Sequence, residues 1–375
     1  MKKRIAIYCY YSANGKTYEE TNKQLNDLRI NVDYLIVVVN GIIISSDCFE
    51  KADRLIIRPN QGLDAGAYKS VILNPEIKSL IKEYDELVLC NSTFWGPFCG
   101  FNEIFRKMEK EKVDFWGMNF FNNCIISHIQ SFFLVYRKTI INDELFYKFF
   151  EDNISEDTND LKSVCYWFEN ALFDYLKNKY SYGCYIDNLR YNIYEYPDKC
   201  IEMGLPILKK KVFSMNYDRN RVLSSIKLIR DNFNYSVDEL LKEIGKEYRI
   251  TITKEEVDNY KMPDNIIAEE YPVSKADINN VMLMCKKCQN LYIYGLGNYA
   301  YYLFNKLNKC TDIKGFIVSD DQYKDETVFM GKSVYALGEI VDKEKKDVLI
   351  GLNRINTNQV KDKLLDFNNI ICLWN

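Results

Sequence analysis

The chain has 375 residues, of which 47% are hydrophobic and 27% charged, a balance typical of a fully folded protein of two or three domains. Its 50 Lys and Arg against 53 Asp and Glu leave a formal charge of -3, which supplies no positive field for a nucleic-acid backbone, so we expect no nucleic-acid partner. The longest apolar stretch, residues 35–45, is far shorter than the roughly 20 residues of a membrane span. Any membrane contact is therefore expected to be peripheral.

The cysteine and histidine content indicates the compartment and the available acid–base chemistry. Twelve cysteines in a chain of this length are not a disulfide framework, and residues 1–10 show no signal-peptide cleavage pattern. We therefore expect reduced thiols and a cytoplasmic protein. Any contact with a membrane is expected at the inner face of the cell membrane. With a single His in the sequence, acid–base work near neutral pH is expected to fall on His128 or on carboxylates with shifted pKa values.

The first hundred residues alternate short apolar runs with helical patterns, which is typical of βαβ units and a largely parallel sheet. Strands are predicted at residues 4–10, 34–39, 54–57 and 86–90, and helices at residues 18–28 and 67–84. Ligands bind at the carboxyl edge of such sheets. The residues delivered to that edge are Asn40, residues 59–64 and residues 91–93.

Further elements follow up to residue 248. They are an aromatic segment at 114–121, a strand at 131–137, helices at 144–150 and 160–177, and a helix at 236–248 with Ser236 as its N-cap. Residues 251–275 are charged, contain two prolines and show weak periodicity, so we predict a linker there.

From residue 290 the strand, glycine turn and helix pattern restarts. Strands are predicted at residues 291–294, 314–318, 348–352 and 370–373, with a helix ending near Leu307. We therefore predict an α/β fold class with three segments: a domain at 1–250, the linker at 251–275 and a small Rossmann-like domain at 276–375. The larger domain is expected to hold a mixed, mostly parallel sheet flanked by helices.

The sharpest local pattern is the turn between the third strand and its helix. Gly62 bends the chain, Gly66 lets backbone come close to a ligand, and Asp64 lies near the helix start, where it can cap the helix or bind a ribose hydroxyl. A plain strand-to-helix turn and a nucleotide-binding turn both fit these residues.

A second pattern follows the central strand, where Asn91, Ser92 and Thr93 precede an aromatic Gly-Pro turn. Hydroxyl and amide groups at this place suit the hydroxyls of a sugar-nucleotide, and aromatic faces can cover its rings. The alternative is an ordinary strand exit that is closed by a turn.

Two titratable residues are candidates for proton transfer. His128 directly precedes a strand and can act as a base or bind a phosphate, or can be purely structural. Glu169 lies within an aromatic run, where burial would raise its pKa as a general base requires; the alternative is a glutamate on the surface of a helix.

The C-terminal region carries two weaker patterns. Cys285 and Cys288 form a lone CxxC with no second pair at zinc spacing, so metal binding there receives little weight. Gly295 and Gly297 stand between a strand and a helix, as in dinucleotide-binding turns, but Ala300 replaces the third glycine. The pattern therefore indicates a Rossmann-like fold more strongly than it indicates a bound dinucleotide cofactor.

Five ordered blocks within residues 1–250 resemble the rhamnan synthesis protein F family. The blocks are Asn60-x-Gly62-x-Asp64-x-Gly66-Ala67-Tyr68-Lys69, Asn91-Ser92-Thr93 with Gly96-Pro97-Phe98, Asp114-Phe115-Trp116-Gly117, His128-Ile129-Gln130-Ser131-Phe132-Phe133, and Pro206-x-x-Lys209-Lys210-Lys211-x-Phe213. The order of the blocks over two thirds of the chain makes this resemblance more specific than any single motif.

The resemblance implies a GT-A-type, inverting glycosyltransferase of bacterial cell-wall or capsular polysaccharide, often one that moves rhamnose from dTDP-L-rhamnose to a lipid-linked glycan. Glu169 would be the general base, and His128 would contact the diphosphate or the acceptor. The residues implied for the nucleotide-sugar donor are Asn60, Gly62, Asp64, Gly66, Lys69, Asn91, Ser92 and Thr93. Lys209, Lys210 and Lys211 would neutralise the leaving group or meet the acceptor.

The sequence departs from the family pattern at two places. Ser92 stands where the family commonly has an Asp, so the carboxylate expected near a divalent metal is missing and metal use stays open. Cys9-Tyr10-Tyr11 stands where a His is frequent, which points to a changed donor specificity. The alternative function is a non-catalytic sugar-nucleotide or glycan-binding component of an assembly complex. The C-terminal domain would bind a nucleotide, form a homo-oligomer or dock a pathway partner.

Overall fold

The computed structural model describes residues 2–12, 14–45, 47–122, 127–155, 165–189, 191–214, 217–261, 275–352 and 354–374. The chain divides into two compact units. The larger comprises the described residues of Met1–Phe121 and His128–Ile267, and the smaller those of Asn122–Ser127 and Ala268–Asn375.

The larger unit is built around an eight-stranded sheet. Its strands are β1 Arg4–Tyr11, β2 Tyr34–Asn40, β3 Arg54–Arg58, β4 Glu86–Asn91, β6 Phe115–Asn122, β7 Ser127–Ile129, β8 Phe133–Arg137 and β9 Tyr182–Leu189. A separate two-stranded ladder joins β5 Phe94–Trp95 to β10 Leu208–Lys209. The order across the main sheet is β3-β2-β1-β4-β8-β6-β7, and β9 pairs with β6.

The strands β1 to β4 run parallel, and the direction changes where β8 pairs antiparallel with β4. Seven of the eight residues of β1 and all six of β4 are buried, because central strands of a parallel sheet are covered on both faces and read as continuous apolar runs. The four predicted strands in this region lie within one residue of the observed ones. The prediction of a mixed, mostly parallel α/β sheet is confirmed.

The helices of the larger unit pack on the two faces of this sheet and around the ladder of β5 and β10. They are α1 Glu19–Ile30, α2 Leu63–Ile72, α3 Pro75–Ile81, α4 Phe101–Met108, α5 Lys138–Ile141, α6 Glu144–Asn153, α7 Leu172–Lys177, α8 Pro197–Glu202, α9 Arg219–Phe233, α10 Asp238–Tyr248 and α11 Lys254–Asn259. One core joins Ile7 to Tyr68 of α2, and the core of the opposite face joins Tyr8 to Leu28 of α1.

Two predicted helix boundaries are wrong. The single helix predicted at residues 67–84 is two helices, because Pro75 has no N–H to continue the first and Asn74 caps the second by accepting from Glu76 and Ile77. Ser236 does not cap α10. That helix begins at Asp238 without a side-chain cap, and the Ser236 hydroxyl donates to the Asp238 carboxylate instead.

Part of the region predicted as a linker is packed against the larger unit. α11 lies within residues 251–275, and Ile252 and Val257 are buried in a core with Ile226 and Ile244. Thr253 and Glu256 form a reciprocal capping box at the start of α11. Residues 262–274 of the predicted linker lie outside the described residues.

The smaller unit contains a six-stranded, mostly parallel sheet. Its strands are β11 Leu291–Tyr294, β12 Ile313–Val318, β13 Val328–Phe329, β14 Lys332–Ala336, β15 Asp347–Ile350 and β16 Asn369–Cys372, in the order β13-β14-β12-β11-β15-β16. Its helices are α12 Lys275–Cys285, α13 Asn298–Leu307 and α14 Arg354–Val360. The sequence pattern did not predict the hairpin of β13 and β14.

The glycine turn of the smaller unit packs closely against its sheet. A Cβ at Gly351 would lie 2.6 Å from Cα of Ala300, so glycine is required at position 351, where α13 crosses the end of β15. Among the described residues, no helix is long and apolar enough to cross a membrane.

Candidate functional site

A polar pocket opens at the carboxyl edge of the large sheet, beside β4. Its lining combines two carboxylates, two lysines, small polar groups and three aromatic rings. These residues are Asp64, Asn91, Thr93, Ser131, Phe132, Phe168, Glu169, Tyr194, Lys209 and Lys211. The residues come from six separate parts of the chain, which only the fold brings together.

A chain of hydrogen bonds runs along one wall of the pocket. The Lys209 ammonium donates to Thr93 Oγ1 over 2.5 Å, and this hydroxyl donates to Asn91 Oδ1 over 2.6 Å. The Asn91 amide in turn donates to Asp64 Oδ2 over 2.8 Å. A cation and a carboxylate are therefore joined through two neutral side chains, each of which fixes the orientation of the next.

The turn before α2 presents Asp64 to this wall. Gly62 and Leu63 both adopt left-handed conformations, with φ values of 68° and 53°, and a Cβ at Gly66 would lie 2.5 Å from the carbonyl oxygen of Gln61. The residue at 66 must therefore be glycine for the turn to close. Asp64 Oδ1 accepts from the N–H of Ala65 over 3.0 Å, so Asp64 lies in the first turn of α2 and Gly62 is the N-cap.

Burial raises the pKa of Asp64, and the nearby Glu169 adds to this, whereas hydrogen bonds from Asn91 and Ala65 and the charge of Lys209 oppose it. Desolvation is the largest of these effects. The carboxyl group is thus held where its charge is costly, which is frequent at binding sites and rare on ordinary surfaces.

The ladder of β5 and β10 positions Lys209. Lys209 pairs with Phe94, and the N–H of Lys210 donates to the carbonyl of Thr93 over 3.0 Å. The Lys209 side chain is only 4% exposed, and its ammonium lies 4.5 Å from the centre of the Phe132 ring. A cation–π contact of this kind stabilises a desolvated ammonium.

Glu169 lies on the opposite wall, in the π-helical segment Cys165–Ala171. Its Oε1 accepts from the N–H of Ser131 over 2.9 Å and from the Ser131 hydroxyl over 3.2 Å. His128 Nε2 stands 3.7 Å from the same oxygen. Among the described residues no group hydrogen-bonds to Oε2, so one oxygen is anchored and the other is available to a ligand.

His128 is almost completely buried behind Glu169. Burial lowers the pKa of His128, although Glu169 and Asp174 partly counteract it, so the imidazole is neutral near pH 7. Its Nδ1 is buried without a hydrogen-bond partner in the described part of the chain. His128 borders the carboxylate and does not line the pocket itself.

Several predicted site residues lie elsewhere. Lys69 reaches the carbonyls of Glu151 and Ile154 at the end of α6, and Lys210 turns toward Glu243 and Glu247, at 3.8 and 4.0 Å. These two lysines have structural partners outside the pocket.

Ser92 and Asn60 also lie outside the pocket lining. The Ser92 hydroxyl accepts from the N–H of Tyr11 over 3.2 Å and ties the end of β4 to the end of β1. Asn60 belongs to the turn, and its Oδ1 is buried without a partner among the described residues. Ser92 thus supports the strand ends beside the pocket.

Four lining residues were not predicted as site residues from the sequence, and one of them, Phe168, directly precedes the predicted Glu169. Ser131 and Phe132 belong to the block that begins at His128, and their position just before β8 was a usable signal. Tyr194 lies in an irregular segment after β9, and nothing in the local sequence marks it.

The donor set of the pocket does not suit a divalent cation. Hard cations such as Mg²⁺ prefer several free carboxylate or carbonyl oxygens. Both oxygens of Asp64 already accept hydrogen bonds, and the ammonium of Lys209 occupies the same wall. In the described part of the chain, no cluster of three or more His, Cys, Asp or Glu side chains is arranged to hold a metal.

The sheet and its edge pocket define a two-unit α/β protein with a polar pocket at the carboxyl ends of its strands, where ligands bind in open α/β sheets. The chain belongs to the rhamnan synthesis protein F family, whose profile matches residues 35–287. The resemblance inferred from the five sequence blocks is therefore confirmed.

The individual relatives have low sequence identity to this chain. Virulence protein VirA of Vibrio anguillarum is 29% identical over 180 residues, which make up 48% of this chain and 57% of VirA. The chain thus spans a little over half the length of the curated relatives it matches.

Solved structures with weak similarity to the chain include two enzymes named for sugar transfer or sugar linkage. Glucosyl-3-phosphoglycerate synthase of Mycobacterium tuberculosis, solved with Mn²⁺, UDP-glucose and phosphoglyceric acid, is 11% identical, with 37% of this chain and 58% of that chain covered and a TM-score of 0.23. The glycosyltransferase GlyE of Streptococcus pneumoniae is 13% identical, with 89% and 96% covered and a TM-score of 0.32. These values identify no activity.

Proposed function

We propose that the protein is an inverting glycosyltransferase of polysaccharide assembly, with its active site in the pocket of the larger unit. The observation that carries the proposal is the single-oxygen anchoring of Glu169 by Ser131. A carboxylate held through Oε1, with Oε2 uncommitted among the described residues, is arranged to accept a proton from a bound hydroxyl. Membership of the rhamnan synthesis family supplies the substrate context.

In the proposed reaction Glu169 Oε2 takes the proton of an acceptor hydroxyl as that oxygen bonds to the anomeric carbon of the donor sugar. The bond from the anomeric carbon to the diphosphate oxygen breaks on the opposite face, and its electron pair leaves with the diphosphate. One displacement inverts the configuration, through a transition state with oxocarbenium character. Asp64 and Asn91 would hold hydroxyls of the nucleotide or sugar, because both present hydrogen-bonding groups at the pocket wall.

The donor we propose is a nucleoside diphosphate sugar, with dTDP-L-rhamnose the first to test, since the family is named for rhamnan synthesis. The acceptor we propose is a lipid-linked cell-wall or capsular glycan, met at the cytoplasmic face of the membrane. The aromatic lining from Phe132, Phe168 and Tyr194 suits the flat faces of a base or a sugar ring.

The proposal is tested with Glu169→Gln, which keeps the shape of the side chain but cannot accept the proton. We expect the turnover of sugar transfer to fall by about 10²–10⁴-fold, while the affinity for the donor nucleotide stays within about twofold. Transfer is followed with labelled dTDP-rhamnose and membrane-extracted glycan acceptor.

The non-catalytic alternative makes the opposite prediction. If the protein only binds a sugar-nucleotide or glycan, wild type and Glu169→Gln will bind the donor equally and neither will release nucleoside diphosphate. That result, with donor binding demonstrated by calorimetry, would contradict the proposed enzyme activity and support the role of a binding component.

A further inference from the structure

Two lysines, Lys209 and Lys211, line the pocket. Lys209 is 4% exposed and packed on Phe132, and Lys211 lines the same cavity. Lys210 between them faces Glu243 and Glu247 instead. The alternation arises because the chain passes from β10 into a short helical turn, Lys210–Phe213, directly after Lys209.

A buried ammonium needs anionic or polar partners to offset its lost hydration. For Lys209, one such polar partner is Thr93 Oγ1. The hydrogen bonds from Thr93 to Asn91 and from Asn91 to Asp64 link the ammonium to a carboxylate. The Lys211 side chain forms no hydrogen bond or ion pair within the described residues. The wall therefore presents two positive groups to the cavity, and one of them is rigidly oriented.

We propose that Lys209, assisted by Lys211, binds the diphosphate of the donor and neutralises the leaving group, so that donor binding requires no divalent metal. This inference rests on the proposed function. Lys209 supplies to the departing diphosphate oxygen the positive charge that a metal ion would otherwise supply. The ammonium remains protonated throughout, and the electron pair of the broken bond stays on the phosphate oxygen.

The composition of the wall favours this assignment over a metal site. Ser92 stands where the family commonly has a carboxylate, and the hydroxyls of Ser92 and of the adjacent Thr93 both take part in hydrogen bonds. A divalent ion placed beside Lys209 would also meet like-charge repulsion, which is strong in a partly desolvated pocket.

The test is calorimetric titration of the full-length protein with dTDP, UDP and dTMP, in EDTA and in Mn²⁺. Lys209→Met keeps the aliphatic stem on Phe132 but removes the charge, and Lys209→Arg restores it. Lys107→Met is the matched control, because Lys107 also stacks on a ring, that of Tyr185 at 4.4 Å, and lies outside the pocket.

We expect wild type to bind a nucleoside diphosphate equally in EDTA and Mn²⁺, and more tightly than dTMP. Lys209→Met should weaken diphosphate binding at least about tenfold, as for loss of a charge-assisted hydrogen bond, and should abolish the preference over dTMP. Lys209→Arg should restore most of it, and Lys107→Met should behave as wild type.

Diphosphate binding that appears only with Mn²⁺, or that is unchanged in Lys209→Met, would overturn the assignment of Lys209 and leave the proposed function standing. Absence of binding of any nucleoside diphosphate under both conditions would overturn both proposals. Circular dichroism of each variant establishes that it is folded before titration.

Discussion

Ser131 donates both its backbone N–H and its hydroxyl to the same oxygen of Glu169, over 2.9 and 3.2 Å. The two residues are 38 positions apart in the sequence, and they meet because the turn before β8 lies against the π-helical segment Cys165–Ala171. Two donors on one carboxylate oxygen restrict the rotation of the group, as positioning of a general base requires.

Ser131→Ala should reduce turnover about tenfold without changing the KM for the donor, since it removes one of the two bonds to Oε1 and leaves the N–H in place. Steady-state kinetics with varied donor measures the two constants separately. Ser131→Thr retains a hydroxyl and should recover most of the activity. Equal turnover in Ser131→Ala and wild type would show that the backbone N–H alone positions Glu169.

Asp64→Ala should weaken donor binding by about tenfold or more, because a hydrogen-bonding carboxylate is lost from the pocket wall. The stability of the fold should change little, since burial raises the pKa of this group and its charge is costly in the folded state. Calorimetric titration and thermal unfolding measure the two effects. Asp231→Ala, which removes an exposed carboxylate beside Arg230 on α9, is the control and should leave donor binding as in wild type.

Gly66→Ala should destabilise the protein by about 1–3 kcal/mol, because the new Cβ would lie 2.5 Å from the Gln61 carbonyl oxygen and the turn must shift. Denaturant unfolding measures the loss. Gly245→Ala is the contrasting variant: Gly245 lies within α10, its nearest new neighbour would be at 3.8 Å, and the substitution should stabilise by about 0.5–1 kcal/mol. Unchanged stability in Gly66→Ala would mean that the turn is not closed as described.

The unfolding free energy should depend on His128 between pH 7.5 and pH 5.5. Burial lowers the pKa of His128 below its ordinary value of 6.5, so on acidification the unfolded chain takes up a proton that the folded chain does not. Stability should therefore fall as the pH drops through 6.5, by at most about 1.4 kcal/mol per pH unit from this residue.

The comparison that isolates this effect is His128→Asn. His128 is the only histidine of the sequence, so the difference between the two stability curves reports on this residue. A difference curve that is flat, or that rises toward acid pH, would show that the folded state binds the proton as readily as the unfolded chain does.

The sequence alone determined the strand-forming segments of the parallel sheet and the family. Strands such as β1 and β4 are continuous apolar runs whose burial on both faces follows from their composition. The carboxyl-edge rule then placed Asp64 and Asn91 near each other, and the structure shows them 2.8 Å apart. These features are local, or follow from the direction of the strands.

What only the tertiary structure decided is which polar groups meet in the pocket. Three consecutive lysines were equivalent candidates in the sequence, yet Lys209 enters the pocket and Lys210 faces Glu243. Such choices depend on β10 pairing with β5, more than a hundred residues earlier in the chain. Long-range packing sets the direction of each side chain, and no periodicity within one segment encodes that contact.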